Sequence, residues 1–182
     1  VVERSGDFAL AVSVQLKPRI HTDLLWVGNN ACDASVSELG RLAKQRGVDF
    51  EIKIMVKDAE LISLLSRATA VLCISRLEPF GLAPLEANAC GTTVVAIAEG
   101  GVRESIMHGE NGLLVPNANP QSIAATIRTI LEDPSQAAQL RGKCRAVVFI
   151  PLGNGGFEKR LRRSKVEPEQ VKRVCQLSNV EM

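Results

Sequence analysis

The sequence predicts an α/β domain, with a mostly parallel sheet covered on both faces by helices, and three observations predict it. Hydrophobic residues make up 46% of the 182-residue chain while aromatic ones supply only 3%, so the core must be built from Leu, Val, Ile and Ala. That mix suits helices layered on a sheet better than a β-sandwich. Short, nearly continuous apolar runs end in loops, as strands buried on both faces do. Amphipathic stretches with clear stop signals lie between them, and this alternation implies right-handed βαβ units.

Taken in order, Asp7 to Lys17 reads as a short amphipathic helix closed by Pro18, although its apolar residues Phe8, Leu10, Val12, Val14 and Leu16 also alternate as a strand would. Asp23 to Val27 is a buried strand opening into Gly28-Asn29-Asn30. A helix from about Ser35 to Arg46 follows, with Val36, Leu39, Leu42 and Ala43 on one face and Gly47 as its stop. The beat repeats: strand Phe50 to Val56, a helix capped by Asp58 and running to Arg67, and strand Ala70 to Ile74. After the loop Ser75 to Pro79 come a helix from Leu82 to Cys90, stopped by Gly91, and strand Thr93 to Ile97. Gly100-Gly101 opens a short helix through Met107. The dense turn signal His108-Gly109-Glu110-Asn111-Gly112 leads into strand Leu113 to Val115. Two helices, Pro120 to Leu131 and Ser135 to Arg145, are split by Asp133-Pro134.

Composition narrows the function classes. No apolar run approaches the roughly 18 residues of a membrane span, and the first residues lack the order of a secretory signal, so a cytoplasmic protein is expected. The five cysteines Cys32, Cys73, Cys90, Cys144 and Cys175 are widely spaced and form no C-x-x-C pair, so buried free thiols are expected rather than disulfides or zinc. His21 and His108 are not in ligand spacing, and no metal is expected. The net charge of +2 is uneven: residues 1 to 140 carry 12 Lys and Arg against 16 Asp and Glu, and residues 141 to 182 carry 10 against 4. With so few aromatic residues near the basic tail, nucleic acid is not expected as a partner, and contact with a membrane surface has no support beyond charge.

The informative segment is Glu78 to Glu86, E-P-F-G-L-A-P-L-E, between a buried strand and a helix. Ligands of open parallel sheets bind at the carboxyl ends of strands, where this loop lies. Gly81 permits close backbone approach, and the amides of Gly81, Leu82 and Ala83 at the helix start form an anion site. Pro84 falls in the first turn, where its missing N–H costs nothing. Glu78 and Glu86 reach one cleft at different depths, and a carboxylate can grip the adjacent hydroxyls of a sugar or ribose. Taken singly, each glutamate reads as a loop charge or a helix-dipole partner. The whole string does not.

This string, followed by A-N-A-C-G-T-T-V-V-A, E-G-G-V-R-E, H-G-E-N-G-L-L-V-P and I-R-T-I-L-E-D-P, resembles the carboxyl-terminal domain of retaining GT-B glycosyltransferases of family 4, or "group 1". The likeness runs from about Gly6 to Ala146. It implies a Rossmann-like three-layer αβα fold, a single half of a GT-B enzyme, spanning residues 1–146, with 147–182 as an atypical basic tail. By the same resemblance Glu78 is the catalytic-site residue touching the donor sugar, and Glu86 binds the ribose. Phe80, Gly81 and Leu82 would lie against sugar and diphosphate, their amides stabilising charge on the leaving nucleotide. Met55-Val56-Lys57 matches the loop that packs the base, so Val56 is a donor contact, and Gly28 matches the glycine that lets the donor approach. Lys57 by itself reads as a solvated surface lysine. The donor would be a UDP-, GDP- or ADP-sugar, with no metal or other cofactor, because helix dipoles and basic side chains neutralise the diphosphate.

The chain departs from the family pattern in three places. It begins V-V-E-R-S-G where members have a strand ending in G-R and then K-G, which leaves Arg4 as the candidate diphosphate contact. That strand would be central in a 3-2-1-4-5-6 sheet, so the apolar run Ala146 to Ile150 is expected to insert in its place, with Gly153, Gly155, Gly156, Lys159 and Arg160 rebuilding a phosphate-facing loop. A frayed tail or an altered terminus is the equal alternative. The amino-terminal acceptor-binding domain is also absent and would have to act in cis or in trans, so the chain alone is expected not to transfer sugar. Residues after Val147, finally, do not match the family's closing helix. Two rival readings stand beside the donor-binding half of a hexosyltransferase: a stand-alone nucleotide-sugar-binding or partner module, and a catalytically silent structural domain.

Overall fold

The computed structural model describes residues 23–28, 32–74, 82–144, 146–151 and 157–162, the last two stretches by their backbone. Expectations for Val1 to Gly6, including Arg4, and for the helix Asp7 to Lys17 lie outside the described residues.

The first unit is β1 (Asp23–Gly28), α1 (Asp33–Arg46) and β2 (Asp49–Ile54), the strands parallel with Asp23 opposite Asp49. Asp33 in the first turn of α1 and Lys44 and Arg46 in its last complement the helix dipole. Gly47 ends the helix at φ 61°, a left-handed cap that a side chain would strain. Leu39 and Ala43 pack with Val48, Leu24, Phe50 and Ile52, which seats α1 on the strand pair. The strand expected to reach Val56 stops at Ile54 because Met55 adopts φ 53°.

The second unit contains α2 (Asp58–Arg67), β3 (Val71–Cys73), α3 (Leu82–Ala89), β4 (Val94–Ile97), α4 (Val102–Ser105) and β5 (Gly112–Val115). The N-cap of α2 is Lys57 rather than the expected Asp58, which is instead the first helical residue, where its charge meets the dipole. Strands β3, β4 and β5 are parallel, with β4 in the middle and all four of its residues buried. Its side chains divide with period two. Val95 and Ile97 join Ile74, Leu113 and Val115 against α5 (Pro120–Glu132) and α6 (Pro134–Lys143), through Ile123, Ile127, Ile130 and Leu140. Val94 and Ala96 face the other way, onto Ala87, Val102 and Ile106. This is the αβα layering that the apolar runs demanded.

Local chemistry fixes the helix ends. Asn119 accepts from Gln121 N at 2.8 Å and Asp133 from Ser135 N at 2.9 Å, each followed by proline at the first helical position. The carboxyl end of α2 is tied down from two sides. Thr92 Oγ1 donates to the Leu65 carbonyl at 2.5 Å, and the Arg141 guanidinium donates to those of Ala68 and Ser66 at 2.9 and 3.0 Å. These bonds satisfy carbonyls that a helix end leaves over.

Among the described residues the strands form two separate parallel pieces, β1-β2 and β3-β4-β5, and Leu24 packs against the clusters of both. Ala146–Pro151 forms β6, whose described partner is β7 (Phe157–Arg162), antiparallel with Ala146 opposite Arg162, rather than β1 or β3. Two runs only a few residues apart in the chain pair with a smaller loop-closure cost than a run joined to a distant strand. Strand β6 lies beside α3. Among the described residues no helix is long and apolar enough to cross a membrane.

Candidate functional site

The described site residues fall into two pairs, each at the carboxyl end of one sheet piece. Gly28 ends β1 opposite Ile54, and the Met55 N–H donates to the Gly28 carbonyl at 2.9 Å, so the loop carrying Val56 leaves directly beside Gly28. A Cβ on Gly28 would lie 3.2 Å from the Trp26 ring, a tight contact that the ring would have to yield to. Met55 is the one non-glycine with positive φ among the described residues, and its side chain is 77% exposed. An apolar side chain held outward on strained backbone at a strand's carboxyl end is a mark of a functional loop.

Leu82 opens α3 just after β3, and Pro84, Leu85, Glu86, Ala87, Asn88 and Ala89 are all buried. The helix therefore behaves as a core element with one end at the site. Glu86, 8% exposed, carries its charge into this packed environment. Its neighbour one turn on, Cys90, has its thiol pushed up chiefly by burial; the Ser66 hydroxyl opposes this and the negative charge of Glu86 adds to it. The carboxylate and the thiol thus share one side of the helix. Glu78, Phe80 and Gly81 lie outside the described residues, as does the loop 75–81 that carries them.

Sequence reasoning missed a buried polar cluster behind α3. Asn111, fully buried, accepts from Met107 N at 2.7 Å and donates to the Ser105 carbonyl at 3.0 Å. With the Asn88 amide oriented to satisfy both partners, it donates to the Asn111 carbonyl at 2.8 Å and accepts from Asn111 Nδ2 at 3.0 Å. The available signal was Asn88 itself, a polar residue within the otherwise small and apolar stretch Ala87 to Cys90. Asn111 was hidden in a turn signal. Its successor Gly112 is required sterically, because a Cβ there would lie 2.7 Å from the Val94 carbonyl and 2.8 Å from Ile106 Cγ2.

A parallel sheet with helices on both faces, and a buried helix launched from the carboxyl end of a strand, define a Rossmann-like αβα domain of the GT-B glycosyltransferase type. The chain belongs to the family of glycosyl transferases group 1, whose model matches residues 15–146. It is 31% identical over 143 residues to D-inositol 3-phosphate glycosyltransferase 1 of Catenulispora acidiphila, covering 78% of this chain and 34% of that protein. Among solved structures it resembles Anabaena HepE in complex with UDP-glucose, with a TM-score of 0.67 at 27% identity over 76% of this chain and 38% of that one. It also resembles the C-terminal domain of the group 1 glycosyl transferase LpcC from Francisella tularensis, with a TM-score of 0.65 at 28% identity over 78% of this chain and 75% of that one. The chain thus spans about a third of the length of the first of these relatives.

Proposed function

We infer that the chain is the nucleotide-sugar-binding half of a retaining hexosyltransferase and works with an acceptor-binding domain supplied in cis or in trans. The observation that carries this reading is α3: a helix starting at the carboxyl end of β3, with Pro84 in its first turn and the buried Glu86 a turn inside. The likeness to HepE, which has been crystallised with UDP-glucose, supports a UDP-sugar first among the possible donors.

In this reading a diphosphate sits over the α3 amino terminus, where unpaired amides and the helix dipole favour negative charge. The amides of Gly81 and Leu82 stabilise the charge that grows on the leaving nucleotide, with Phe80 against the sugar. Glu86 accepts from the ribose hydroxyls, Glu78 contacts the sugar beside the reacting carbon, and Arg4 supplies positive charge to the diphosphate. Gly28 and Val56 flank the base, with the strained Met55 between the two loops. No metal is required at the donor, and the compartment is the cytosol, where cysteines stay as thiols.

Calorimetric titration with UDP, GDP, ADP and their glucose or mannose conjugates tests the reading. Saturable binding of one nucleotide is expected, weakened about tenfold or more by Glu86→Ala, since a lost charged hydrogen bond exceeds about 1.4 kcal/mol. Absence of binding to every nucleotide overturns it. Sugar transfer to an added acceptor by this chain alone would overturn the need for a second domain.

A further inference from the structure

We propose that Asn88 and Asn111 form a positioning bracket that ties the donor helix to the turn after α4; this rests on the donor-binding reading above. Successive residues turn by about 100° in an α-helix, so Asn88 projects some 200° from Glu86 and grips α3 from the side opposite its buried carboxylate. The apolar contacts on the flank between them, Ala87 with Val94, Ala96, Val102 and Ile106, are small and non-directional. They fill space without fixing where the helix stops along its axis. The amide pair is directional and fully enclosed, with Asn88 and Asn111 at 2% and 0% exposure.

The bracket reaches further than two side chains. Asn111 holds Met107 N and the Ser105 carbonyl, the two backbone groups at the trailing end of α4. Asn88 takes the Asn111 carbonyl, and its amide also donates to the Thr92 carbonyl at 3.3 Å. Helix α3, the turn after α4 and the lead-in to β4 are thereby linked through one polar knot. Both helices follow strands of one parallel sheet, so tying their trailing ends together fixes how α3 is seated and, through the helix, where its amino end meets a diphosphate. Both asparagines are positioning residues and neither touches the ligand.

The test compares Asn88→Ala in the full chain with Ile130→Val, a core substitution on the opposite face of the sheet that loosens the fold without touching α3. Amide exchange is followed without ligand, and UDP affinity is titrated in parallel. Asn88→Ala is expected to speed exchange at Leu85 to Ala89 beyond the control and to weaken UDP about tenfold, while the control stays within about twofold of wild type. Asn111→Asp keeps the acceptor for Met107 and loses both donations, so it should reproduce the α3 effect if Asn88→Ala folds poorly. Equal exchange of α3 in variant and control overturns the bracket whatever the titration gives. Faster α3 exchange with unchanged UDP affinity overturns its link to binding. A wild-type chain that binds no UDP but shows the exchange difference defeats the donor reading and leaves the bracket in place.

Discussion

The two units of this chain are built from the same strand-helix alternation and packed to different standards. From Leu82 to Leu140, β4 is buried at every residue, α3 at six of its eight, and both long helices carry side-chain caps. In the first unit, from Asp23 to Ile54, no strand residue is fully buried, α1 buries only Leu39 and Ala43 completely, and Ile54 and the adjoining Met55 are exposed. The difference teaches where rigidity is invested. The tightly packed unit holds the helix that carries Glu86, whereas the open unit has Gly28 at the end of a lightly buried strand pair and Val56 just beyond it, with Met55 at positive φ between strand and Val56. Tight packing is concentrated around the helix that carries the buried Glu86, and exposure beside the carboxyl ends of the first strand pair.

Substitutions can break this contrast, beginning with the largest effect. Ile130→Ala removes a side chain that is 1% exposed and should cost about 3–4 kcal/mol, whereas Ile52→Ala in the open unit should cost about half that, since less apolar surface is enclosed. Denaturant titration of both decides it, and equal losses would erase the distinction between the units. Gly112→Ala comes next, at about 2–3 kcal/mol, because its Cβ meets the Val94 carbonyl at 2.7 Å with β5 fixed by its ladder to β4. Replacing the Asp133 cap by alanine should cost about 1 kcal/mol by the same assay.

At neutral pH the smallest effect is that of the Cys144 thiol, which acts only in alkali. Burial pushes the Cys144 thiol up from 9.0 to about 11, against the opposing pull of the Thr93 side chain and the Arg141 charge. The folded chain therefore keeps a proton that the unfolded chain releases, so stability falls as pH rises from 9.0 toward about 11 and is unaffected below that window. Cys144→Ala should flatten the melting temperature against pH in this range. An unchanged slope would show that another group carries it.

Much of the architecture was legible because its signals are local. Gly47 and Gly91 ended their helices at positive φ, and Asn119-Pro120 and Asp133-Pro134 started theirs. The apolar runs around Trp26, Ile52, Leu72 and Val95 became parallel strands. The family was legible as well, since the spaced motifs from Glu78 to Pro116 match it in order. The site was legible only as residue identities: Leu82 and Glu86 were placed on one helix and Gly28 beside the Val56 loop, but nothing in a methionine signals that Met55 turns left-handed. Asn88 looked like any helix residue until its partner 23 positions later came into contact.

The sequence by itself determined most strands and helices from Asp23 to Lys143, the glycine stops after α1 and α3, and that a carboxylate-bearing helix follows a strand, because propensity, capping and apolar periodicity act over a few residues. Only the tertiary structure decided that the described strands form two pieces joined through Leu24, that Ala146–Pro151 pairs with Phe157–Arg162, and that two distant asparagines close a buried knot behind α3. Those outcomes depend on which distant groups can satisfy one another once buried, and on the loop entropy of reaching them, and neither quantity is carried by a local stretch of chain.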